Sequence, residues 1–295
     1  MRNDQSALKN MPQKQINQHK IVLVAGVILI IVALLSGLMV FYIMQRHTEQ
    51  LLSNNLQSSL QNRKQLIILE ISQGVEQVTS IATRPLLIDQ FQQINQNAGD
   101  KVALDALDRA AHSFVSAGLS GVMLYGKDGQ LLAHAGQFIL RPDLTVHLNK
   151  FSSQVQILSS GQFFSRVAID IVEADQKVGQ VVAEVPLPSL DVMFKSADSL
   201  GNTGELALCA SSGINMQCFP TTLKSDVFTL PKRTPQGVAL PMTHALEGET
   251  GFITAMDYRR QEVVAAFTPV NDWGLGMVLK MDSAELFAPI LAQLR

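Results

Sequence analysis

The sequence predicts an α+β protein in which an N-terminal transmembrane helix and a long stalk helix precede two tandem antiparallel sheet units. Three observations lead to this prediction. Ile21 to Met44 is a run of 24 residues without a charge, residues 45–83 place apolar side chains at helical spacing, and residues 121–281 alternate strand-like segments with turn residues. The length of 295 residues and the 47% hydrophobic content are ample for a folded core and exclude a disordered chain.

The uncharged run and its flank predict the topology. About 20 apolar residues cross the hydrocarbon core as a helix, and basic residues favour the cytoplasmic side. Residues 1–20 hold four basic residues and one acidic residue, a net charge of +3. The alternative is a cleavable signal peptide, but the run exceeds the usual h-region of about 7–15 residues and no A-x-A site follows. We therefore expect residues 1–20 to be a cytoplasmic tail, residues 21–44 to span a membrane and the remainder to lie outside; in a bacterium these are the inner membrane and the periplasm.

Residues 45–83 read as one amphipathic helix, the stalk, which Pro85 interrupts. Such a helix pairs with a second copy of itself or lies against its own domain, and we predict a homodimer through it. Its inward positions recur mostly at steps of three or four: Leu52, Leu56, Leu60, Ile67, Ile71, Val75 and Val78.

The rest of the chain reads as two sheet units. Helices are predicted at 86–96 and 101–117, the second capped by Asp100. Four strands follow in the first unit and five in the second. Residues 137–160 show no firm period, and residues 220–243 read as a long proline-containing loop.

Two cysteines, Cys209 and Cys218, flank a Ser-Ser-Gly turn. A hairpin there would place them on facing strands, within disulfide range. The periplasm permits that bond. We predict the disulfide, with two buried free thiols as the alternative.

The second half of the chain carries a family resemblance. LGNTGELALC at 200–209, CFP at 218–220 and the segment 240–290, with its DYRRQ, VVAAF and GLGMVLK stretches, resemble the membrane-proximal unit of the double Cache sensor domain. This periplasmic domain of two tandem PAS-like units precedes diguanylate cyclase, phosphodiesterase or histidine kinase output domains in bacterial membrane receptors. The resemblance implies a stalk helix and membrane-distal unit at 45–199, a membrane-proximal unit at 200–283, and at 284–295 the start of a C-terminal helix leading to a second membrane span.

The resemblance implies a sensory protein that binds a small molecule and passes a conformational change to the membrane. No GGDEF, EAL, kinase or methyl-accepting motif occurs, so no enzyme is predicted and any output domain would lie beyond residue 295. One alternative is a membrane-anchored accessory protein that binds a partner protein. Another is a tethered periplasmic enzyme, although no convergent catalytic set is visible.

Five residues are candidates for ligand binding. Tyr125, Arg166 and Asp170 carry polar tips on the strands of the first unit, and Arg166 and Asp170 share a strand face because they are four residues apart. An arginine there would suit a carboxylate ligand, and it must face Asp170, a ligand or water. In the second unit, Asp257 and Arg259 precede a turn. For both groups the alternative is a structural role without a ligand.

Other chemistry is not predicted. The six histidines are scattered without an H-E-x-x-H motif, and neither G-x-S-x-G nor a phosphate loop is present. We predict no metal site and no cofactor. The net charge of −2 argues against nucleic acid as a partner.

Overall fold

The computed structural model of the chain describes residues 13–149, 153–195 and 201–286. Parts of two predicted segments, residues 1–12 of the tail and residues 287–295 of the C-terminal helix, lie outside these ranges. The chain divides into two compact units, residues 1–54 and 55–295. Within residues 1–54 the large apolar side chains between Val27 and Ile43 are exposed wherever they are described. Across the described residues, no helix combines the length and the hydropathy that crossing a membrane requires.

Three helices come first in the chain: α1 (Gln13–Ala82), α2 (Pro85–Gln96) and α3 (Lys101–Ser116). The break between α1 and α2 follows from Pro85, which forces Arg84 into an extended conformation and occupies the first turn of α2. Helix α3 begins where predicted, because the Asp100 side chain accepts hydrogen bonds from the backbone N–H groups of Val102 and Ala103.

The first sheet has six antiparallel strands in the order β2-β1-β6-β5-β4-β3. Its strands are β1 (Gly121–Gly126), β2 (Leu131–Gly136), β3 (Leu144–Leu148), β4 (Gln154–Ser159), β5 (Phe163–Glu173) and β6 (Gln176–Pro186). The prediction of four strands was wrong, since β3 and β4 lie in the region where no period was assigned. Leu144, Val146 and Leu148 are buried and alternate with outward side chains, so β3 is a short edge strand of period two.

Helix α4 (Pro188–Lys195) leads to the second sheet, whose order is β10-β11-β12-β7-β8-β9. Its elements are β7 (Glu205–Ser212), β8 (Asn215–Cys218), β9 (Phe228–Pro231), α5 (Pro241–Leu246), β10 (Gly251–Met256), β11 (Glu262–Val270) and β12 (Leu275–Asp282). The prediction of five strands missed β9, which lies in the segment read as a loop, and α5, which begins in the last residues of that segment. Pro231 is compatible with β9 because that strand is at the sheet edge, where a missing donor costs no ladder bond.

The part of α1 that follows residue 54 packs on the sheets. Of the predicted inward positions, Val75 is half-buried and the Leu52 side chain lies outside the described part of the chain. The other five are at most 5% exposed: Leu56, Leu60, Ile67, Ile71 and Val78. They belong to one apolar cluster that includes strands of both sheets. Burial of each such side chain contributes roughly 1.5–3 kcal/mol, and the helix is therefore an integral part of the core.

The two sheets differ in what covers their other face. A second apolar cluster lies between the second sheet and α5, so this sheet is buried on both sides. In the first sheet the face opposite α1 carries polar and half-buried side chains on β5 and β6. That polar face, which the loop between β2 and β3 covers in part, brings together the candidates of the first unit.

Candidate functional site

The polar face of the first sheet holds two rows of side chains. Strand register places Arg166 opposite Glu184, and it places Asp170 opposite Gln180, which is also opposite Tyr125. Directly opposed residues of antiparallel strands project to the same face, so the five side chains share one surface. The two rows are separated by four residues along each strand, or roughly 13 Å.

Arg166 is the centre of a clamp on the loop between β2 and β3. Its Nε donates to Glu184 Oε1 at 2.9 Å, and its Nη2 donates to the Ile139 carbonyl at 2.7 Å. Glu184 Oε2 in turn accepts the Ile139 backbone N–H at 3.0 Å. Glu184 is fully buried and the Arg166 side chain is 27% exposed. The partner that the sequence left open is therefore Glu184, and the ion pair holds the loop against the sheet.

The other two candidates of the first unit lie in the second row. Asp170 is exposed, accepts a hydrogen bond from Gln180 Nε2 at 2.8 Å, and lies 2.6 Å from Lys177 Nζ. The Tyr125 hydroxyl contacts the sulfur of Met123 at 3.1 Å. Arg166 and Asp170 thus share a face, as predicted, but each has a different partner. The available ligand contacts on this row are a carboxylate, an amide and a phenol.

The second sheet contains a buried ionic network. Lys280 lies opposite Glu205, with its Nζ 2.7 Å from Glu205 Oε2 and in contact with Asp257 Oδ2. The Glu205 contact is electrostatic, because Oε2 has no hydrogen bond of its own. All three residues are at most 6% exposed. A lysine between two buried carboxylates offsets charges that would otherwise be costly to bury.

The network continues to the predicted pair Asp257 and Arg259. Arg259 Nε donates to Asp257 Oδ2 at 2.7 Å, and its Nη2 contacts Asp282. Burial by itself raises the pKa of Asp257, but the hydrogen bonds and charge of Lys280, together with Arg259, outweigh it and hold the pKa below its ordinary value. Burial lowers the pKa of Arg259, but the hydrogen bonds and charges of Asp257 and Asp282 outweigh burial and hold this pKa above its ordinary value. These two candidates therefore meet, as partners of each other.

Tyr258 closes the network on the other side of Glu205. Its hydroxyl donates to Glu205 Oε1 at 2.8 Å, and Thr221 donates to the same oxygen. The Lys280 Nζ lies 4.3 Å from the centre of the Tyr258 ring. Burial, followed by the negative charge of Glu205 and its hydrogen bond, raises the pKa of Tyr258 far above its ordinary value. The phenol is held as a neutral hydrogen-bond donor.

A small cavity of about 40 Å³ adjoins this network. Apart from Asp257, Tyr258 and Lys280 at one end, its lining is apolar and includes both cysteines. The predicted disulfide is confirmed, since Cys209 and Cys218 are bonded and directly opposed on β7 and β8. A volume of this size is far below the ~300 Å³ of a typical metabolite pocket.

One group of side chains has the composition of a metal site. His244, Glu247 and Glu249 place one ligand atom each within 4.8 Å of one another, although the sequence predicted no metal site. His244 Nδ1 lies 2.7 Å from Glu249 Oε2, and Glu247 lies 3.8 Å from Arg233. Both glutamates are exposed.

Sequence reasoning missed two charged residues that organise these sites. Glu184 is the one charge in GQVVAEVP (179–186), and Lys280 directly follows the apolar run LGMVL (275–279). A lone charge in a run of buried strand residues requires a partner, and this signal identifies both.

Comparison with known proteins adds a similarity of structure. No protein-family model and no curated protein matches the chain. The chain is similar to the sensor domain of the Vibrio cholerae histidine kinase DctB, with 11% identity and a TM-score of 0.48 over 79% of this chain and 98% of that one. It is similar to the periplasmic sensory domain of the Campylobacter jejuni chemoreceptor Tlp1, with 12% identity and a TM-score of 0.49 over 82% and 99%. For the ligand-binding domain of the Pseudomonas fluorescens chemoreceptor CtaA in complex with L-serine, the identity is 15% and the TM-score 0.41 over 79% and 98%.

Proposed function

We propose that the chain is the sensory part of a bacterial inner-membrane protein, whose double Cache domain binds a small molecule and passes a conformational change to the membrane. One observation carries this proposal: a single helix, α1, contacts the first sheet, the connecting helix α4 and the second sheet. A change in the packing of either sheet therefore acts on the same helix.

From Gly74 back to Lys64, α1 contacts the first sheet, then α4, then the second sheet. Gly74 lies against the first sheet, where a Cβ would be 3.3 Å from the Ser165 hydroxyl oxygen. Glu70 accepts the backbone N–H of Ser189 at 2.9 Å at the start of α4. Lys64 Nζ donates to the hydroxyl of Thr268 on β11 at 3.4 Å. These contacts support a mechanical coupling in which α1 acts as the stalk helix.

The proposed ligand site is the row of Tyr125, Asp170 and Gln180 on the open face of the first sheet. The neighbouring loop that Arg166 and Glu184 hold against the sheet would form one wall. Ligand binding drives a shift only if the ligand has different affinities for two conformations of the sheet. The polar tips and the half-covered face support a small polar ligand.

The membrane arrangement rests on sequence and exposure. The basic flank, the uncharged run at 21–44 and the exposed apolar side chains between Val27 and Ile43 support one span with its N-terminus in the cytoplasm. The proposal includes the stalk and membrane-distal unit at 45–199 and the membrane-proximal unit at 200–283. The proposal also includes a homodimer through α1, in which Leu66 and Leu69, 48% and 53% exposed, would face the second copy.

Two experiments test this function. The full chain in detergent micelles is screened against metabolites by thermal shift, and each hit is repeated with Asp170→Asn, Tyr125→Phe and the exposed control Asp175→Asn. We expect the first two variants to weaken binding about tenfold, the value of one lost polar contact, and the control to leave it unchanged. A hit that both variants bind normally would place the ligand elsewhere.

A reporter fusion tests the topology. A periplasm-dependent reporter fused after Arg295 should be active, and activity only from a cytoplasmic reporter would refute the topology.

A further inference from the structure

A cleft lies between helices α2 and α3 of the first unit. It has a volume of about 350 Å³, which is within the range of small-molecule sites. Its described lining comes from the start of α2 and from the facing side of α3, and it shares no residue with the row of Tyr125, Asp170 and Gln180. The residues that the argument uses are Arg84, Leu86, Leu87, Ala106, Leu107 and Phe114.

The floor of this helical cleft is hydrocarbon. Leu87, Leu107 and Phe114 line it, are at most 4% exposed and belong to the main apolar cluster. Leu86 also lines the cleft but is 77% exposed. An apolar side chain left in water beside an apolar floor gains free energy when a hydrocarbon group covers it. The lining therefore favours a ligand with an apolar part.

Arg84 adds one positive charge to this apolar lining. Among the described residues that line the cleft, it is the only charged one. Its guanidinium carbon lies 4.9 Å from the centre of the Phe114 ring, and within the ranges that the structure describes no carboxylate pairs with it. The ring contact uses the face of the guanidinium, so the N–H donors, which lie in its plane, remain available to an anion.

The start of α2 favours an anion at the same end of the cleft. Arg84 is the N-cap residue of this 12-residue helix, and its side chain makes no capping hydrogen bond. The positive end of the helix dipole therefore adds to the charge of the guanidinium. Of the common anions, a carboxylate matches the paired donors of an arginine, and an alkyl carboxylate also uses the apolar floor.

We propose that the helical cleft binds a small amphipathic carboxylate, whose carboxylate group pairs with Arg84 and whose alkyl part packs on Leu86, Leu107 and Phe114. Such a ligand contacts α2 and α3 together. Both helices pack on the first sheet, α2 on β6 and α3 on β1 and β2, so the ligand stabilises this packing. The site is additional to the ligand row proposed on the sheet and does not depend on it, and Asp170→Asn should leave carboxylate binding unchanged.

Calorimetric titration of the full chain in detergent micelles tests the proposal, with hexanoate as the probe and protein-free micelles as the reference. Acetate and the neutral isostere hexanamide are titrated in parallel. We expect hexanoate to bind and the other two to bind at least about tenfold more weakly, because acetate lacks four methylene groups and hexanamide lacks the charge.

Three variants locate the site. Hexanoate binding should weaken at least about tenfold in Arg84→Gln, which removes a charge-assisted contact. It should weaken several-fold in Ala106→Leu, which fills part of the cleft and leaves Arg84 in place. The matched control is Arg109→Gln, an exposed arginine of α3 outside the lining, and it should bind hexanoate as the wild type does.

Four outcomes would overturn the proposal. They are the absence of hexanoate binding, equal binding of hexanamide, equal binding of acetate, and unchanged hexanoate binding in Arg84→Gln. Equal binding of acetate would show that the cleft recognises an anion without its alkyl part. Circular dichroism of Arg84→Gln and Ala106→Leu checks that a loss of binding is not a loss of folding.

Discussion

Replacing Arg166 by alanine tests whether this residue is a structural clamp. The substitution removes hydrogen bonds to Glu184 and to the Ile139 carbonyl and leaves a fully buried carboxylate without its counter-ion. Removing one partner of a buried ion pair costs about 3–5 kcal/mol. Because the Arg166 side chain is 27% exposed, water replaces part of the loss, and we expect a destabilisation of about 2–4 kcal/mol.

The assay is equilibrium unfolding in urea, followed by the fluorescence of the single tryptophan, Trp273, which is 7% exposed. Arg141→Ala, an exposed arginine at the end of the same loop, is the matched control and should cost less than about 0.5 kcal/mol. The double variant Arg166→Ala with Glu184→Gln should recover part of the loss, because it no longer buries a charge.

An Arg166→Ala variant that is as stable as Arg141→Ala would refute the clamp. It would show that Glu184 is satisfied by Ile139 and water alone. With that result, Arg166 would again be a candidate for ligand binding. If the clamp is correct, amide hydrogen exchange of residues 137–141 should accelerate in Arg166→Ala, because the loop loses its attachment to β5 and β6.

Three further predictions concern the second unit. In urea unfolding, Lys280→Met should destabilise it by about 3–5 kcal/mol. Adding Glu205→Gln to that variant should recover part of the loss. Equal stability of the wild type and Lys280→Met would disprove the network. The pKa of Asp257 is lowered on folding, so the ionised carboxylate contributes to the free energy of unfolding fully above the unfolded pKa, and this contribution is lost as the pH falls through the folded pKa. In Asp257→Asn the free energy of unfolding should therefore fall less steeply as the pH is lowered. Reduction of Cys209–Cys218 should cost roughly 2–3 kcal/mol, and thiol titration of unfolded, unreduced protein should find no free thiol.

The sequence predicted the elements whose local signals are strong. The cap at Asp100, the break at Pro85 and the buried spacing of α1 each depend on neighbouring residues, and the structure confirms all three. The disulfide was also predictable, because a hairpin around Ser-Ser-Gly puts the two cysteines opposite each other. Strands β3 and β9 were missed because each has at most five residues and lies at a sheet edge, where the periodic signal is shortest.

The partner of Arg166 could not be predicted, because it depends on the register of β5 with β6. The register shifts by one residue between Ile171 and Val172. At the turn, Glu173 pairs with Gln176 and Val172 with Lys177. If this register continued without the extra residue in β6, Arg166 would lie opposite Ala183. The bulge instead places it opposite Glu184. Because one residue of slip moves every partner, the composition of two strands does not identify their ion pairs.

The ionic network of the second unit also extends to the residues that follow β12. Asp282 contacts Arg259, and its backbone N–H donates to the Thr203 hydroxyl at 3.1 Å. Glu285, one turn further, accepts the backbone N–H groups of Asn202 at 2.7 Å and Thr203 at 2.8 Å. These hydrogen bonds, with Thr203 foremost, lower the pKa of Glu285 and keep it charged.

The residues after β12 are therefore bound to the residues before β7, which is paired with β12 at the centre of the sheet. Tyr258, Glu205 and Lys280 connect the small apolar cavity to the same two strands. Because Thr203 contacts both Asp282 and Glu285, we expect a rearrangement of β7 against β12 to move residues 282–285 as well. In the proposed sensor, α1 would collect changes from both sheets, and this second attachment would carry them along the chain beyond β12.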